Sequence, residues 1–157
     1  MIKSKLNELF LGLLFLLVFL GYAIPVRATL GKSASSVESD RKALAAVKRP
    51  TTSHDSYGVH EMYSGANTVR EYVSQSGIVF GISWNGLFFP DIDQLLGSYS
   101  NEYHKALQRT PRQKGSRHLH VEASGVIVEK WGHMRDLHGR AYAPALIPSG
   151  VSVDEIR

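Results

Sequence analysis

The alternation of hydrophobic and polar residues after position 56 predicts a β-sheet. Segment 57–63 alternates, segment 68–74 is strand-like, and segment 78–84 has the strongest strand pattern of the chain, as expected of strands that bury one face. Ser76-Gly77 separates the last two segments by a tight turn and pairs them as a hairpin. The predicted register sets Val73 opposite Phe80, on a core face made of Val69, Val73, Ile78, Phe80, Ile82, Trp84 and one charged residue, Glu71.

A helical spacing follows these three segments. Apolar residues recur at intervals of three and four from Ile92 to Leu107. Asp91 precedes them in the position of an N-cap, and Gly97-Ser98 is expected to interrupt the helix. We expect this helix to cover the sheet.

The second half of the chain returns to the strand pattern. Segments 118–123 and 126–131 flank Ser124-Gly125 and predict a second hairpin, and residues 137–142 predict a further strand. A short turn capped by Ser152 is expected near the C-terminus. Because strands joined by short turns pair antiparallel, the sequence predicts an α+β fold, with an antiparallel sheet of about five to six strands in two hairpin groups, one main covering helix and short terminal helices.

Residues 29–56 are predicted to contain a short helix and a linker. Ser35 and Glu38 have the spacing of a capping box that opens a helix running to about Val47. The stretch after it contains a proline and no hydrophobic period, which predicts a linker. We expect residues 57–157 to form a single domain.

The first 28 residues have the three-part layout of a secretory signal peptide. Lys3 and Lys5 precede an apolar run from Leu9 to Leu20, and small residues precede the expected cleavage after Ala28. The apolar stretch is shorter than the ~20 residues of a membrane-spanning helix. Cleavage and export are therefore expected, and retention as an uncleaved anchor is the alternative.

Composition narrows the classes of partner. The chain of 157 residues has a net charge of +4, half of which the predicted leader carries, and this balance argues against nucleic acid as a partner. The chain contains no cysteine, which excludes disulfides, thiol chemistry and a lipid anchor on a cysteine. The folded part is expected to depend on packing alone.

The second predicted hairpin places imidazoles and carboxylates together. A two-residue turn sets His120 opposite Glu129, and His118 and Glu122 lie on the same outward face. Nitrogen and oxygen donors of this kind bind zinc, so these four residues are a candidate metal site. The alternative is an ordinary cross-strand pair of His120 with Glu129.

Glu71 is a carboxylate on a predicted apolar face, where it either binds a proton or pairs with a cation. Arg135 and Arg140 are the expected partners, and a structural ion pair is favoured over catalysis. His133, with His138 and Arg135, has the groups for general acid–base chemistry. The sequence contains no nucleophile elbow, phosphate loop or metalloprotease motif beside them, so enzyme activity is not expected.

Two further segments are candidates for contacts with other molecules. Residues 109–117 form a predicted exposed loop whose basic side chains are Arg109, Arg112, Lys114 and Arg117. Such a loop is either simply solvated or contacts an anionic surface. Leu87-Phe88-Phe89 either packs beneath the helix or marks a protein or lipid contact.

Several motifs resemble one family of exported proteins. They are Val69-Arg70-Glu71-Tyr72-Val73, the strand ending at Trp84, Pro90-Asp91 with Leu95-Leu96-Gly97, and Gly132-His133-Met134-Arg135 followed by Gly139-Arg140-Ala141-Tyr142. On these residues the chain, from about Leu30 to Ile156, resembles the proteobacterial family of domain of unknown function 2844. The resemblance implies a periplasmic or secreted location in a Gram-negative bacterium, and it implies no catalytic or binding residues.

The sequence therefore predicts an exported, non-enzymatic protein that serves as a binding or accessory module for an envelope protein or an anionic surface. The alternative is a metal-binding protein or metal-dependent hydrolase that uses the strand face with His118 and His120. Zinc is the one cofactor that the sequence suggests.

Overall fold

The computed structural model describes residues 30–34, 37–111 and 115–157. The predicted signal peptide, the predicted capping residue Ser35 and the loop residues Arg112 and Lys114 lie outside the described residues. None of the helices within the described ranges has the length and apolar character needed to cross a membrane.

In the described part of the chain, eight strands form a single antiparallel sheet. In chain order the elements are α1 (Val37–Ala43), β1 (Val47–Lys48), β2 (Thr52–Ser53), β3 (Tyr57–Ser64), β4 (Asn67–Ser74), β5 (Val79–Gly86), α2 (Ile92–Leu96), α3 (Ser100–Arg109), β6 (Leu119–Ala123), β7 (Val126–His133) and β8 (Asp136–Tyr142), with 3-10 turns at Gly97–Tyr99, Pro144–Leu146 and Val153–Glu155. The strand order is β1-β3-β4-β5-β8-β7-β6, and β2 also pairs with β3. The predicted α+β class with an antiparallel sheet is confirmed.

The sheet has more strands than the sequence predicted, because the segment before β3 contributes two. The helix predicted to run to about Val47 ends at Ala43. Two residues later, Ala45 has a positive φ of 49°, which no helical residue adopts. Val47 instead begins β1 and pairs with Tyr63. Pro50 lacks a backbone N–H and separates β1 from β2, so the stretch predicted as a linker forms an interrupted edge of the sheet.

A β-bulge in β5 changes the predicted face of Phe80 and leaves Ile78, which was predicted on the same core face, only half-buried. Phe80 was expected opposite Val73, but Val73 pairs with Val79 and Tyr72 pairs with Gly81. Phe80 is therefore an extra residue in β5, and such an insertion turns the side chain away from its expected direction. It packs instead on the opposite face of the sheet, against Tyr57 and Tyr72.

The two faces of the sheet carry different layers. The helix face buries the main core beneath α2, α3 and the N-terminal segment, and this core includes Met62, Val69, Ile82, Trp84, Leu95 and Leu96. The other face, which we call the C-terminal face, carries a second core in which Ile156 is fully buried among Tyr57, Tyr72, Phe80 and Tyr142. The segment after β8 therefore covers part of this face.

The predicted helix and its interruption are both present. Asp91 caps α2 by accepting a hydrogen bond from the Gln94 backbone N–H at 3.1 Å. A 3-10 turn at Gly97–Tyr99 separates α2 from α3, as Gly97-Ser98 predicted. Buried Leu96 and Tyr103 hold the two helices on the sheet.

Candidate functional site

A cleft of about 860 Å³ lies between α3, the loop that follows it and the adjacent ends of β6, β7 and β8. Its apolar wall consists of Phe89, Tyr103, Leu107, Leu119, Trp131 and Leu137. Its ionisable side chains are Arg117, His118, His120 and Lys130 beside the phenol of Tyr103, and none of its described lining residues carries a carboxylate. The cleft is therefore apolar and cationic.

The cleft opens where β6 is shorter than its neighbour. β6 begins at Leu119, which pairs with Lys130, whereas β7 continues to His133 against β8. The residues of β7 beyond Lys130 therefore have no partner in β6. The cleft is the space between α3, the sheet and the described residues of the α3–β6 connection, of which Thr110, Pro111, Ser116, Arg117 and His118 line it.

Lys130 places a cation inside the apolar wall. Its Nζ lies 5.4 Å from the ring centroid of Phe89 and 5.2 Å from that of Tyr103, so both rings attract the ammonium group. Tyr103 is buried, whereas Phe89 is 44 % exposed. A cation–π contact does not occupy all three N–H donors of an ammonium group. Lys130 can therefore still donate a hydrogen bond to an anion.

An aromatic stack adjoins the cleft. The rings of His118 and Trp131 lie 6.4 Å apart, and those of Trp131 and His138 lie 5.9 Å apart and nearly parallel. Both His118 and Trp131 also line the cleft. The stack therefore forms the part of the cleft wall that lies just before the first residue of β6.

A row of polar residues crosses the C-terminal face behind the cleft. In register across six strands, it consists of Glu61, Arg70, Ser83, Arg140, Glu129 and His120. Arg70 Nε donates to Glu61 Oε2 at 2.8 Å, and Arg140 Nε donates to Glu129 Oε2. Opposite charges on neighbouring strands therefore pair across the sheet.

His120 ends this row between two carboxylates. Its Nδ1 lies 3.0 Å from Glu129 Oε1 and its Nε2 lies 3.1 Å from Glu122 Oε1. Hydrogen bonds to Glu122 and Glu129 raise the pKa of His120 above its ordinary value. Burial raises the pKa of Glu129, but the hydrogen bonds from Arg140 and His120 outweigh it and leave that pKa below its ordinary value.

The model of the family described as Protein of unknown function (DUF2844) matches residues 26–156. The chain belongs to this family. No curated protein and no solved structure matches the chain. In this DUF2844 chain, the motif segments at 132–135 and 139–142 form the β7–β8 hairpin that borders the cleft. Gly139 within them leaves room for the ring of Trp84, because a Cβ on Gly139 would overlap it.

The residues of the predicted metal site have other contacts in this DUF2844 chain. Both nitrogens of His120 face carboxylates, and His118 stacks on Trp131. Within the ranges that the structure describes, no three His, Asp or Glu side chains are arranged to hold a metal ion. The pairing of His120 with Glu129, the alternative interpretation, is present, and zinc binding stays a prediction.

The structure brings neither predicted arginine to Glu71. Glu71 is fully buried on the helix face, where it lies opposite Ile82. Arg140 points to the C-terminal face, because its neighbour Ala141 is the residue that pairs with Ile82, and it contacts Glu129 there. Arg135 is exposed in the β7–β8 turn at a φ of 68°.

The predicted histidine group is organised by a residue that sequence reasoning missed. His138 Nε2 lies 2.8 Å from Asp136 Oδ1, and His133 Nε2 lies 3.6 Å from Asp136 Oδ2. Asp136 is exposed at the start of β8, so this group is a polar cluster on the surface. The signal for it was the Asp-x-His spacing, which places both side chains on one face of a strand.

Of the predicted contact residues, one basic side chain of the loop and one apolar side chain of the crossover line the cleft. Arg117 and Phe89 line it, whereas Arg109 is exposed at the end of α3 and Phe88 is 67 % exposed. Lys130 was missed by sequence reasoning. Its signal was a lysine two residues after Val128, at a position where the alternation of β7 calls for a core side chain.

Proposed function

We propose that this chain is an exported, non-enzymatic binding protein that holds an anionic ligand with an apolar body in the cleft beside α3. One observation carries the proposal. The cleft wall is apolar over somewhat more than half of its area, its ionisable groups include Lys130 and Arg117, and no described residue that lines it is acidic.

The composition of the wall selects the ligand class. A purely hydrophobic molecule would cover the half-buried ammonium group of Lys130 without accepting a hydrogen bond from it, which is unfavourable, although the charge of Asp93 also attracts this ammonium group. A small inorganic anion would leave the wall of Phe89 and Leu119 in contact with water, although burying it is worth roughly 25 cal/mol per Å². An acid with an acyl chain or an aromatic ring would pair its charge with Lys130 and bury its apolar part against Phe89 and Leu119.

The proposed location provides ligands of this kind. The leader layout of residues 1–28 supports export, and acidic amphiphiles are components of bacterial envelopes. An envelope partner that presents an anionic, partly apolar group would use the same cleft. Metal-dependent hydrolysis has no support from the contacts of His118 and His120.

A matched set of three ligands tests the proposal by thermal unfolding. Octanoate carries chain and charge, octanol carries the chain alone and acetate carries the charge alone. A ligand that binds the folded state stabilises it by RT ln(1 + [L]/Kd), or about 1.4 kcal/mol at ten times Kd. We expect octanoate to raise the melting temperature by several degrees, and octanol and acetate at equal concentration to have little effect.

The same experiment on Lys130→Met provides the control for the site. This variant keeps the apolar wall and removes the cation, so octanoate should lose its advantage over octanol. Equal shifts with all three ligands, or an octanoate shift that persists in Lys130→Met, would argue against the cleft as the anion site.

A further inference from the structure

The two edges of the sheet are protected to different degrees. At one edge, β1 and β2 are two residues long each and Pro50 lies between them, which is how proteins blunt an edge against pairing. At the other edge, β6 presents five residues without proline or lysine. In the described part of the chain, no strand pairs with the outer side of β6.

The sequence of β6 is complementary to itself in the antiparallel direction. Its residues are Leu119, His120, Val121, Glu122 and Ala123. When two copies pair around Val121, each His120 lies opposite the Glu122 of the other copy. On the helix face, Leu119 lies opposite Ala123 and Val121 lies opposite Val121. Every side chain of the strand then has a matched neighbour.

We infer that the occupant of this edge is a second copy of the same chain, which joins the two sheets through antiparallel β6–β6 pairing. A two-fold axis perpendicular to the sheet makes the interface isologous, as in most dimers of soluble proteins. It also keeps the helix face of one copy continuous with that of the other. Within one copy, Nε2 of His120 lies 3.1 Å from Glu122, whose side chain is 74 % exposed. Charge complementarity arises when Glu122 turns from the imidazole of its own copy to the imidazole of the other.

Neighbouring registers are unfavourable, which gives the pairing its specificity. A shift by two residues in one direction sets His120 opposite His120, and a shift in the other direction sets Glu122 opposite Glu122. Like charges directly opposite one another destabilise a strand pair. A shift by one residue would set the polar face of one copy against the apolar face of the other.

The pairing also bears on the cleft, although it does not depend on the ligand. Leu119 and His120 line the cleft at the start of β6. In the antiparallel dimer, the end of the other copy's β6 lies beside them. Each copy therefore borders the cleft of its partner, and α3, which packs on β6, lies on the same side of the joined sheet in both copies.

Sedimentation velocity of the protein recovered from the periplasm after expression with its own leader tests the dimer. We expect a concentration-dependent dimer at pH 6. Glu122→Arg places a cation opposite His120 of the other copy at two symmetric positions and should weaken the dimer by about tenfold or more. Glu102→Arg, which makes the same charge change on α3, should leave it intact. A wild-type protein that stays monomeric at about 100 µM, where a dimer with a Kd of roughly 10 µM is mostly formed, would overturn the inference. Equal amounts of dimer in wild type and Glu122→Arg would also overturn it.

The absence of native cysteine allows a direct test of the register. Val121→Cys places one thiol opposite its copy, where antiparallel Cα atoms lie about 4.5–5.5 Å apart and a disulfide fits. Ala123→Cys, two residues further, places the two thiols roughly 13 Å apart along the strands. Under mild oxidation we expect covalent dimers of Val121→Cys and few of Ala123→Cys, with circular dichroism showing that both variants fold. Equal cross-linking of folded variants would contradict the register.

Discussion

At the scale of single residues, one lysine gives the cleft its chemistry. Val126, Val128 and Lys130 follow the same face of β7, and the two valines are fully buried. Lys130 continues that face to the place where the helix layer ends, so its stem lies along the core and its ammonium group reaches the rings of Phe89 and Tyr103. The strand pattern could reveal the position of Lys130, but not the rings around it.

The bridge at His120 predicts a pH-dependent contribution to stability. Because the pKa of His120 is raised in the folded protein, the contribution is complete below the ordinary value of 6.5 and is lost as the pH rises through the folded pKa. The pKa of Glu129 is lowered, so its contribution is lost as the pH falls below its ordinary value of 4.5. The bridge is therefore strongest between these two pH values.

Replacing His120→Gln should then destabilise the protein by about 0.5 kcal/mol at pH 5.5, the scale of a partly exposed ion pair. At pH 8.5 the difference from wild type should shrink. Urea unfolding at both pH values measures it, and His118→Gln, which removes an imidazole stacked on Trp131, is the control. A deficit that grows toward pH 8.5 would refute the charged bridge.

At the scale of elements, the alternation of apolar residues and the turn residues between segments were sufficient to predict the strands from β3 onward. The break at Gly97 was also readable, because glycine and serine interrupt the helical spacing. β1 and β2 could not be predicted from the sequence, because a strand of two residues is too short to show a periodic pattern and is defined only by its pairing with β3. The bulge at Phe80 was missed for a related reason, because every residue around it is apolar and either face fits the sequence.

Gly81 determines how the C-terminal segment packs on β5. A Cβ on Gly81 would lie 2.8 Å from Cδ1 of Ile156, so Gly81→Ala must displace that side chain and should cost about 1–2 kcal/mol. Gly58→Ala is the matched control, because its Cβ would lie at an ordinary 3.6 Å from Thr51. Denaturant unfolding should show a clear loss for Gly81→Ala and little change for Gly58→Ala.

A double-mutant cycle identifies the contact responsible. Ile156→Val removes the Cδ1 atom that the new Cβ would meet and costs about 1 kcal/mol by itself. In the double variant with Gly81→Ala, the total loss should be smaller than the sum of the single losses. Strict additivity would show that the C-terminal segment does not pack against β5 in this way.

At the scale of the whole molecule, the cleft brings together segments that are far apart in the chain. Phe89 follows β5, Leu107 belongs to α3, Arg117 precedes β6 and Lys130 lies in β7. The sequence indicated Phe89 and Arg117 as contact candidates separately. It could not indicate that they share a wall with Lys130, because the strand order β5-β8-β7-β6 that brings them together depends on long-range pairing.

The measurement that tests the binding account most directly is a fluorescence titration with two dyes that share one ring system. 1-Anilinonaphthalene-8-sulfonate carries an anion, and N-phenyl-1-naphthylamine is the same molecule without it. We expect Lys130→Met to weaken binding of the sulfonate about tenfold or more, the scale of a hydrogen bond to a charged group, and to leave the neutral dye unchanged. Lys105→Met, which removes an exposed lysine paired with Glu102 on α3, should change neither. Equal affinity of wild type and Lys130→Met for the sulfonate would contradict the account.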